Sequence, residues 1–189
     1  MTTFVDLFCG AGGSSTGLVN AGWELLLAAN HWERAIETHS ANHPPADHLC
    51  ADVSQYDMRR LPRAEALWAS PICTELSPAG GRAKRKAPMP GQHMLEGFDL
   101  GEDALTRTRA TFWDVLRATE VWRYKAVICE NVVEALSWEL FDIWLSGMRR
   151  LGYTHQIVSA SSAHIGGSGN SPAPQWRDRI YLVFVAEGV

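Results

Sequence analysis

The chain is expected to be an α/β protein, with a mostly parallel sheet carrying helices on both faces. Short apolar runs alternate with segments of helical period along its 189 residues, which implies crossover connections and not hairpins. The first run ends in Cys9-Gly10-Ala11-Gly12-Gly13 and passes into a helix, a strand–turn–helix unit with room for a ligand. Hydrophobic residues make up 46% and charged residues 20%, the balance of an ordinary globular core. That excludes a disordered or fibrous chain, and the length fits one domain over residues 1–189.

Each element has its own justification. Residues 4–8 form a short apolar strand, and Ser14 or Ser15 is placed to cap a helix reaching about Asn20. A buried strand is expected over 23–29 and a helix over 33–42, stopped by Pro44-Pro45 because proline lacks the amide proton to continue it. Strands follow over 48–51 and 66–69, the second running directly into Ser70-Pro71. Phe112, Val115, Leu116 and Thr119 recur on one helical face ahead of a strand over 125–129. Phe141, Trp144, Leu145, Met148 and Leu151 repeat that spacing ahead of a strand over 154–159, and the last strand covers 180–185. Trp113, Trp122, Trp138 and Trp144 fall at helical spacings and are expected to pack. In such sheets ligands bind at the carboxyl ends of strands, where strand order reverses. The loops after Phe8, Ala29, Ala51, Ala69 and Cys129 are therefore the places for a site.

Composition narrows the setting. No apolar run approaches the roughly 18 residues of a membrane span, and Met1 leads quickly into a strand, so no signal peptide is expected. Four cysteines without a C-x-x-C pair fit a reducing, cytoplasmic environment better than a disulfide scaffold or zinc ribbon. The net charge of −4 hides a local cluster, Arg82, Lys84, Arg85 and Lys86. It lies within residues 78–104, where three prolines, five glycines and no periodicity point to a mobile active-site loop.

Several residues stand where chemistry is done. The helix start behind Gly10, Gly12 and Gly13 favours an anionic group, yet Ser15 stands where a dinucleotide fingerprint needs glycine. Asn30, beside His31 at the end of the second strand, can hydrogen-bond a diol. Asp52, next to Val53, either accepts from an exocyclic amine or caps the next segment. Cys73, in Pro71-Ile72-Cys73 with Ser77 behind it, is placed as a nucleophile, whereas Cys9, Cys50 and Cys129 abut apolar strands and read as small hydrophobes. Glu130 ends a strand, where a desolvated carboxyl is biased toward its protonated form and can donate to a ring nitrogen; the alternative is a helix cap. Arg177 and Arg179 share a face at the start of the last strand, able to hold a phosphate or carbonyl oxygen. His39 and His43, with His48 and Cys50 near, lack the glutamate of H-E-x-x-H, and no metal is expected.

Taken in order, these motifs resemble the cytosine-C5 DNA methyltransferase family. Asp6-Leu7-Phe8-Cys9-Gly10-Ala11-Gly12-Gly13 with Gly17-Leu18 resembles its S-adenosylmethionine loop, and Pro71-Ile72-Cys73 with Ser77 and Ala79-Gly80 its Pro-Cys-Gln nucleophile motif. Glu130-Asn131-Val132 matches its Glu-Asn-Val, and Gln175-x-Arg177-x-Arg179 its Gln-x-Arg-x-Arg. Ile72 stands in place of the family's proline and Thr74 in place of its glutamine.

The resemblance implies a Rossmann-like, S-adenosylmethionine-dependent methyltransferase fold. It implies that Cys73 attacks C6 of a cytosine flipped from double-stranded DNA, that Glu130 holds the ring nitrogen and amine, and that Arg179, with Arg177 beside it, holds the carbonyl oxygen. It places Phe8, Gly10, Gly12, Gly13, Asn30, His31, Asp52, Val53 and Pro71 around the cofactor, which leaves as S-adenosylhomocysteine. The family's target-recognition part has no counterpart after the last strand, so a second polypeptide or a further C-terminal region is expected to supply it. An RNA (tRNA) cytosine-C5 methyltransferase and an inactive cofactor- or DNA-binding relic are the competing readings.

Overall fold

The computed structural model describes residues 1–72, 100–166 and 171–189, with the backbone alone over 100–110. Its strands are β1 (Thr3–Leu7), β2 (Glu24–Asn30), β3 (Asp47–Cys50), β4 (Ala66–Ala69), β5 (Ala126–Asn131), β6 (Tyr153–Ser161) and β7 (Asp178–Ala186). Its α-helices are α1 (Gly13–Asn20), α2 (Glu33–Asn42), α3 (Leu100–Trp122) and α4 (Phe141–Arg150). The strands form one sheet in the order β3-β2-β1-β4-β5-β7-β6. β1 to β5 run parallel, and β7 and β6 close the edge antiparallel. Strand order reverses between β1 and β4, whose last residues Leu7 and Ala69 are register partners; Ala69 in turn pairs with Cys129. The carboxyl ends of β1 and β4 are thus level, and β5 runs two residues further, to Asn131.

The sheet is covered on both faces, as its alternation requires. Val5, Leu7, Leu67, Ala69, Val127 and Cys129 pack with Phe112, Val115 and Ala118 of α3 and with Phe141, Trp144 and Met148 of α4. Phe4, Leu25, Ala28 and Ala66 face the other way, toward Leu18 of α1 and Ile36 of α2. The helical tryptophans do pack: Trp144 is fully buried with its indole N–H donated to the Phe112 carbonyl at 2.7 Å. Trp122 donates likewise to the Met58 carbonyl at 2.7 Å, so these two rings bury area without stranding a donor, whereas the buried Trp138 Nε1 has no hydrogen-bond partner among the described residues.

Some expectations are corrected. The cap of α1 is Gly12, not Ser14 or Ser15, which lie inside the first turn and turn their hydroxyls down to Asp6. Residues 100–104, read as loop, open α3. β5 continues through Glu130 and Asn131, because β7 pairs with both. Cys50 is exposed, since the edge strand β3 has nothing packed over it there; Cys9 and Cys129 are buried as expected. Cys73 and most of 78–104, including the basic cluster, lie outside the described residues. Among the described residues no helix is long and apolar enough to cross a membrane.

The α1/α2 face carries a buried polar chain. Asp6 is fully buried and accepts from Ser14 Oγ at 2.9 Å and Ser15 Oγ at 2.6 Å. Ser15 Oγ lies 3.0 Å from His39 Nε2, and His39 Nδ1 lies 2.9 Å from His48 Nε2. Burial pushes the Asp6 carboxyl from 3.8 up to about 7, against the pull of both serines. Burial, then the neighbouring His43 and His48, lowers His39 from 6.5 to about 4. The folded state therefore keeps a proton on Asp6 that the unfolded chain releases, and stability from this group is lost as pH rises from about 4 to about 7. It also refuses a proton on His39 that the unfolded chain takes up, and that stability is lost as pH falls from about 6.5 to about 4. In the wild type the two slopes oppose each other. Urea unfolding across this window is expected to show His39→Gln losing stability relative to wild type as pH rises, with Asp6→Asn losing it as pH falls. Each difference should approach about 1.4 kcal/mol per pH unit; parallel profiles for all three proteins would refute the linkage.

Candidate active site

Two clefts open at the carboxyl ends of the strands and meet at Gly10. The first, about 590 Å³, is lined by Phe8, Cys9, Gly10, Gly13 and Ser14 from the β1–α1 segment, by Trp68 and Ser70, and by Glu130, Arg177 and Tyr181. The second, about 680 Å³, is lined by Gly10, Ala11, Asn30, His31, Trp32, Arg34, Ala35 and Thr38. Both volumes suit a small organic ligand. The turn between them is tightly wound. Phe8 (φ 64°), Gly10 (φ 53°) and Gly12 (φ 97°) are all left-handed, unusual for phenylalanine and characteristic of a functional turn. A Cβ built on Gly10 or Gly13 would meet nothing within 4 Å, so these glycines leave the cradle open to a ligand's approach.

Glu130, which lines the first cleft, forms an ion pair with Arg179, Oε1 to Nε 3.0 Å, with side chains only 20% and 18% exposed. Arg177 lines the same cleft but is exposed. Glu130 is thus met by a cation instead of standing as a lone desolvated carboxyl. It is not a cap either: the following 3-10 turn, Val133–Ser137, starts from Val132 with no side-chain cap. The adjacent Asn131 is buried, donates Nδ2 to the Pro71 carbonyl at 3.0 Å, and accepts at Oδ1 from the Val132 amide at 2.9 Å. On the other side, the Ile72 amide donates to Thr111 Oγ1 of α3 at 3.1 Å. The segment leading to Cys73 is thereby tied to both β5 and α3.

Other residues singled out in the sequence separate into those that reach a cleft and those that support it. Phe8, Gly10, Gly13, Asn30 and His31 line one or both. Gly12 does not; it backs onto histidines. Val53 is buried in the core, and Asp52 caps the turn Val53–Gln55, its carboxylate accepting from the Ser54 amide at 3.0 Å and from Gln55 Nε2 at 3.1 Å. That turn is pinned from α3 by Asp114, which accepts from Ser54 Oγ at 2.6 Å and from Arg117 at 2.6 Å. Cys9 lines the first cleft, but burial and the nearby Asp6 push its thiol up to about 12, and burial raises Cys129 further; neither forms a thiolate readily. Among the described residues no cluster of histidine, cysteine and acidic groups is arranged for a metal. Sequence reading overlooked Trp32, 62% exposed on the second cleft, and Trp68 and Tyr181, whose rings lie 6.1 Å apart at 57° on the first. Trp32 was discoverable from its place just past a strand end beside Asn30-His31.

Replacing Asn131 tests the tie. Asn131→Ala leaves the Pro71 carbonyl and the Val132 amide without their partner in a buried setting, and is expected to cost about 1–3 kcal/mol in urea unfolding. A loss below about 0.5 kcal/mol would mean that the segment before Cys73 is held by other contacts.

Comparison with known proteins agrees with this architecture. The family model described as C-5 cytosine-specific DNA methylase matches residues 2–188. The Type II methyltransferase M.HgiDI of Herpetosiphon aurantiacus is 34% identical over 95% of this chain and 50% of its own length. The Type II methyltransferase M.AgeI of Thalassovita gelatinovora is 28% identical over 97% of the chain and 39% of its own. The chain therefore spans about half or less of these relatives. In fold it is similar to the Dnmt2 methyltransferase of S. pombe, with TM-score 0.69 and 16% identity over 100% of this chain and 50% of that one. It is equally similar to the Entamoeba histolytica methyltransferase EhMeth, with TM-score 0.71 and 14% identity over 98% and 53%. With a seven-stranded sheet of this order, a glycine cradle at β1 and a match running almost end to end, the chain belongs to the C-5 cytosine-specific DNA methylase family.

Proposed function

We propose that this chain is the catalytic domain of a DNA (cytosine-5)-methyltransferase, acting on a cytosine flipped out of double-stranded DNA. The observation that carries the reading is convergence: the glycine cradle, the Glu130–Arg179 pair and the tethered segment before Cys73 all meet at the carboxyl ends of β1, β4 and β5. S-adenosylmethionine is the family's cofactor and supplies the methyl group when bound. The open cradle at Gly10 and Gly13 suits its amino-acid end, and the second cleft, with Asn30, His31 and the exposed Trp32, suits a ribose and a stacked heterocycle.

The chain's own groups divide the work. Cys73 thiolate adds to C6 of the cytosine, forming a C–S bond and pushing the ring electrons toward C5. Glu130 holds the ring nitrogen and the exocyclic amine, and Arg179 holds the carbonyl oxygen, their contact of 3.0 Å placing donor and acceptor side by side for that edge of the base. Arg177, at the rim, is placed for the same oxygen or a flanking phosphate. Once C5 carries the methyl group, with S-adenosylhomocysteine as the leaving group, the C5 proton passes to solvent water and its electron pair re-forms the C5–C6 double bond, breaking the C–S bond and restoring the Cys73 thiolate. Asn131 and Thr111 position the Cys73 segment through Pro71 and Ile72. Asp52 acts at the adenine amine while capping its own turn. Target choice is assigned to a further region or a second polypeptide, and the free cysteines fit a cytoplasmic setting.

DNA containing 5-fluorocytosine tests the reading, because fluorine cannot leave as the proton does. A covalent adduct on Cys73 is expected only with S-adenosylmethionine present; Cys73→Ser should abolish it and Cys9→Ser should not. An adduct on Cys9, Cys50 or Cys129 would overturn the assignment. Methyl transfer confined to tRNA would move the substrate to RNA, and no transfer to either would favour a relic. Glu130→Gln keeps the shape without the acid and should slow turnover by about 10²–10⁴ while S-adenosylmethionine affinity barely changes; equal losses in both would mean a structural role. Bisulfite sequencing of plasmid exposed to the purified chain should show no single dense motif.

A further inference from the structure

Behind the glycine cradle, one face of α2 and its C-cap residue His43 grip the loop with side chains that touch neither cleft. Asn42 Nδ2 donates to the Ala11 carbonyl at 2.9 Å. His43 Nε2 lies 3.2 Å from the Gly12 carbonyl and 3.0 Å from Thr16 Oγ1. Gly12 itself is pressed against two rings: an added Cβ would come within 2.9 Å of His43 Cδ2 and 3.1 Å of His39 Cδ2. His39, Asn42 and His43 stand three and four positions apart, the spacing that puts side chains on a single helical face.

The protons in this cluster follow from simple counting. Thr16 gives its only hydroxyl proton to the Gly12 carbonyl at 2.8 Å, so His43 must donate from Nε2. Ser15 Oγ stands between Asp6 Oδ2 and His39 Nε2, and His39 Nδ1 stands against His48 Nε2, so both ring nitrogens of His39 are engaged. The Nε2 proton of His43 is thereby directed at the glycine turn. The charged or titratable groups facing them are Asp6 from β1 and His48 from β3, and α1 presents only the hydroxyls of Ser15 and Thr16. At 2.9 Å the His39 and His48 nitrogens share a proton; zinc ligands at ~2.0–2.1 Å in a tetrahedron would stand about 3.4 Å apart.

We propose that His43 and His39, with Asn42, are positioning residues for the cofactor: they form the seat that holds Gly12 left-handed, and the Asp6–Ser15–His39–His48 chain fixes that seat from behind. The seat sets where Gly10 and Gly13, which do line the clefts, present their backbone. Substituting the seat therefore weakens cofactor binding without touching the cofactor. The inference rests on the reading that the turn over residues 10–13 carries S-adenosylmethionine.

Calorimetric titration of S-adenosylmethionine into the purified full chain tests it. His43→Ala should weaken binding about three- to tenfold, and His43→Gln, which restores a donor near the Nε2 position, should recover most of the loss. Asn42 is exposed, so Asn42→Ala is expected to fold even if His43→Ala does not, and should weaken binding about two- to fivefold. Gly12→Ala should weaken binding at least tenfold, and the double variant Gly12→Ala/His43→Ala should lose less than the two single losses combined, because the ring that the new Cβ strikes is gone. Wild-type affinity in His43→Ala and Asn42→Ala, equal weakness in His43→Ala and His43→Gln, or strict additivity in the double variant would each overturn the seat. If Gly12→Ala binds as wild type does, the reading of the glycine turn as the cofactor cradle falls as well. A loss in Gly12→Ala with all seat variants unaffected would leave that reading intact and remove the seat alone.

Discussion

One buried carboxyl organises half of this molecule. Asp6 stands on β1, the strand at which order reverses, and its side chain points into the α1/α2 layer with no access to water. A carboxyl in that position must be met by donors. The first turn of α1 supplies two hydroxyls, one of which continues through His39 to His48. The consequence is geometric. β1, α1, α2 and β3 are connected by directional bonds at a single depth in the layer, and the glycine turn is held between them. An apolar layer would pack as tightly but would tolerate sliding.

The opposite face is built differently. There the sheet meets α3 and α4 through Phe112, Trp138, Phe141 and Trp144, whose rings contact one another at 5.3 to 6.0 Å between centroids. Polar contacts are few and placed where they serve the site. Asp114 and Arg117 hold the turn that carries Asp52, and Thr111, one helical turn earlier, holds the Ile72 amide. α3 thus touches both the proposed adenine side and the approach to Cys73. Burial raises the Asp114 carboxyl, opposed by its bonds to Ser54 and Arg117, so the turn depends on those partners staying in place.

The two faces meet at the strand ends, and the meeting explains why the Glu130–Arg179 pair is strong in position yet open in access. β5 and β7 are antiparallel neighbours, so Glu130 pairs in register with Tyr181, two residues from Arg179, near the end of the ladder. Each side chain keeps about a fifth of its surface exposed. A ligand can reach both without breaking the sheet. The same antiparallel turn-back would be impossible for a sixth parallel strand, whose crossover would need a further helix.

Much of this was legible in the sequence. The apolar runs fixed strands to within two residues and the glycine turn marked the cradle, because periodicity and backbone freedom are local properties. The four ordered motifs identified the family, Glu130 and Arg179 included. Local pattern could not show that β6 and β7 run antiparallel, nor that Ser14 and Ser15 leave the cap of α1 to Gly12 and both serve a buried acid. It left open whether Asp52 caps its own turn, which it does, and it missed that Cys50 lies open on the edge strand and that Trp32 faces a cleft. The histidines are the clearest case. Their spacing raises a metal, and its missing glutamate dismisses it, yet their role depends on Asp6, Ser15 and His48 arriving from three other elements. A sequence determines what each segment prefers; only the folded chain decides which buried donors and acceptors must satisfy one another, because hydrogen bonds are short and directional and their partners here lie far apart in the chain.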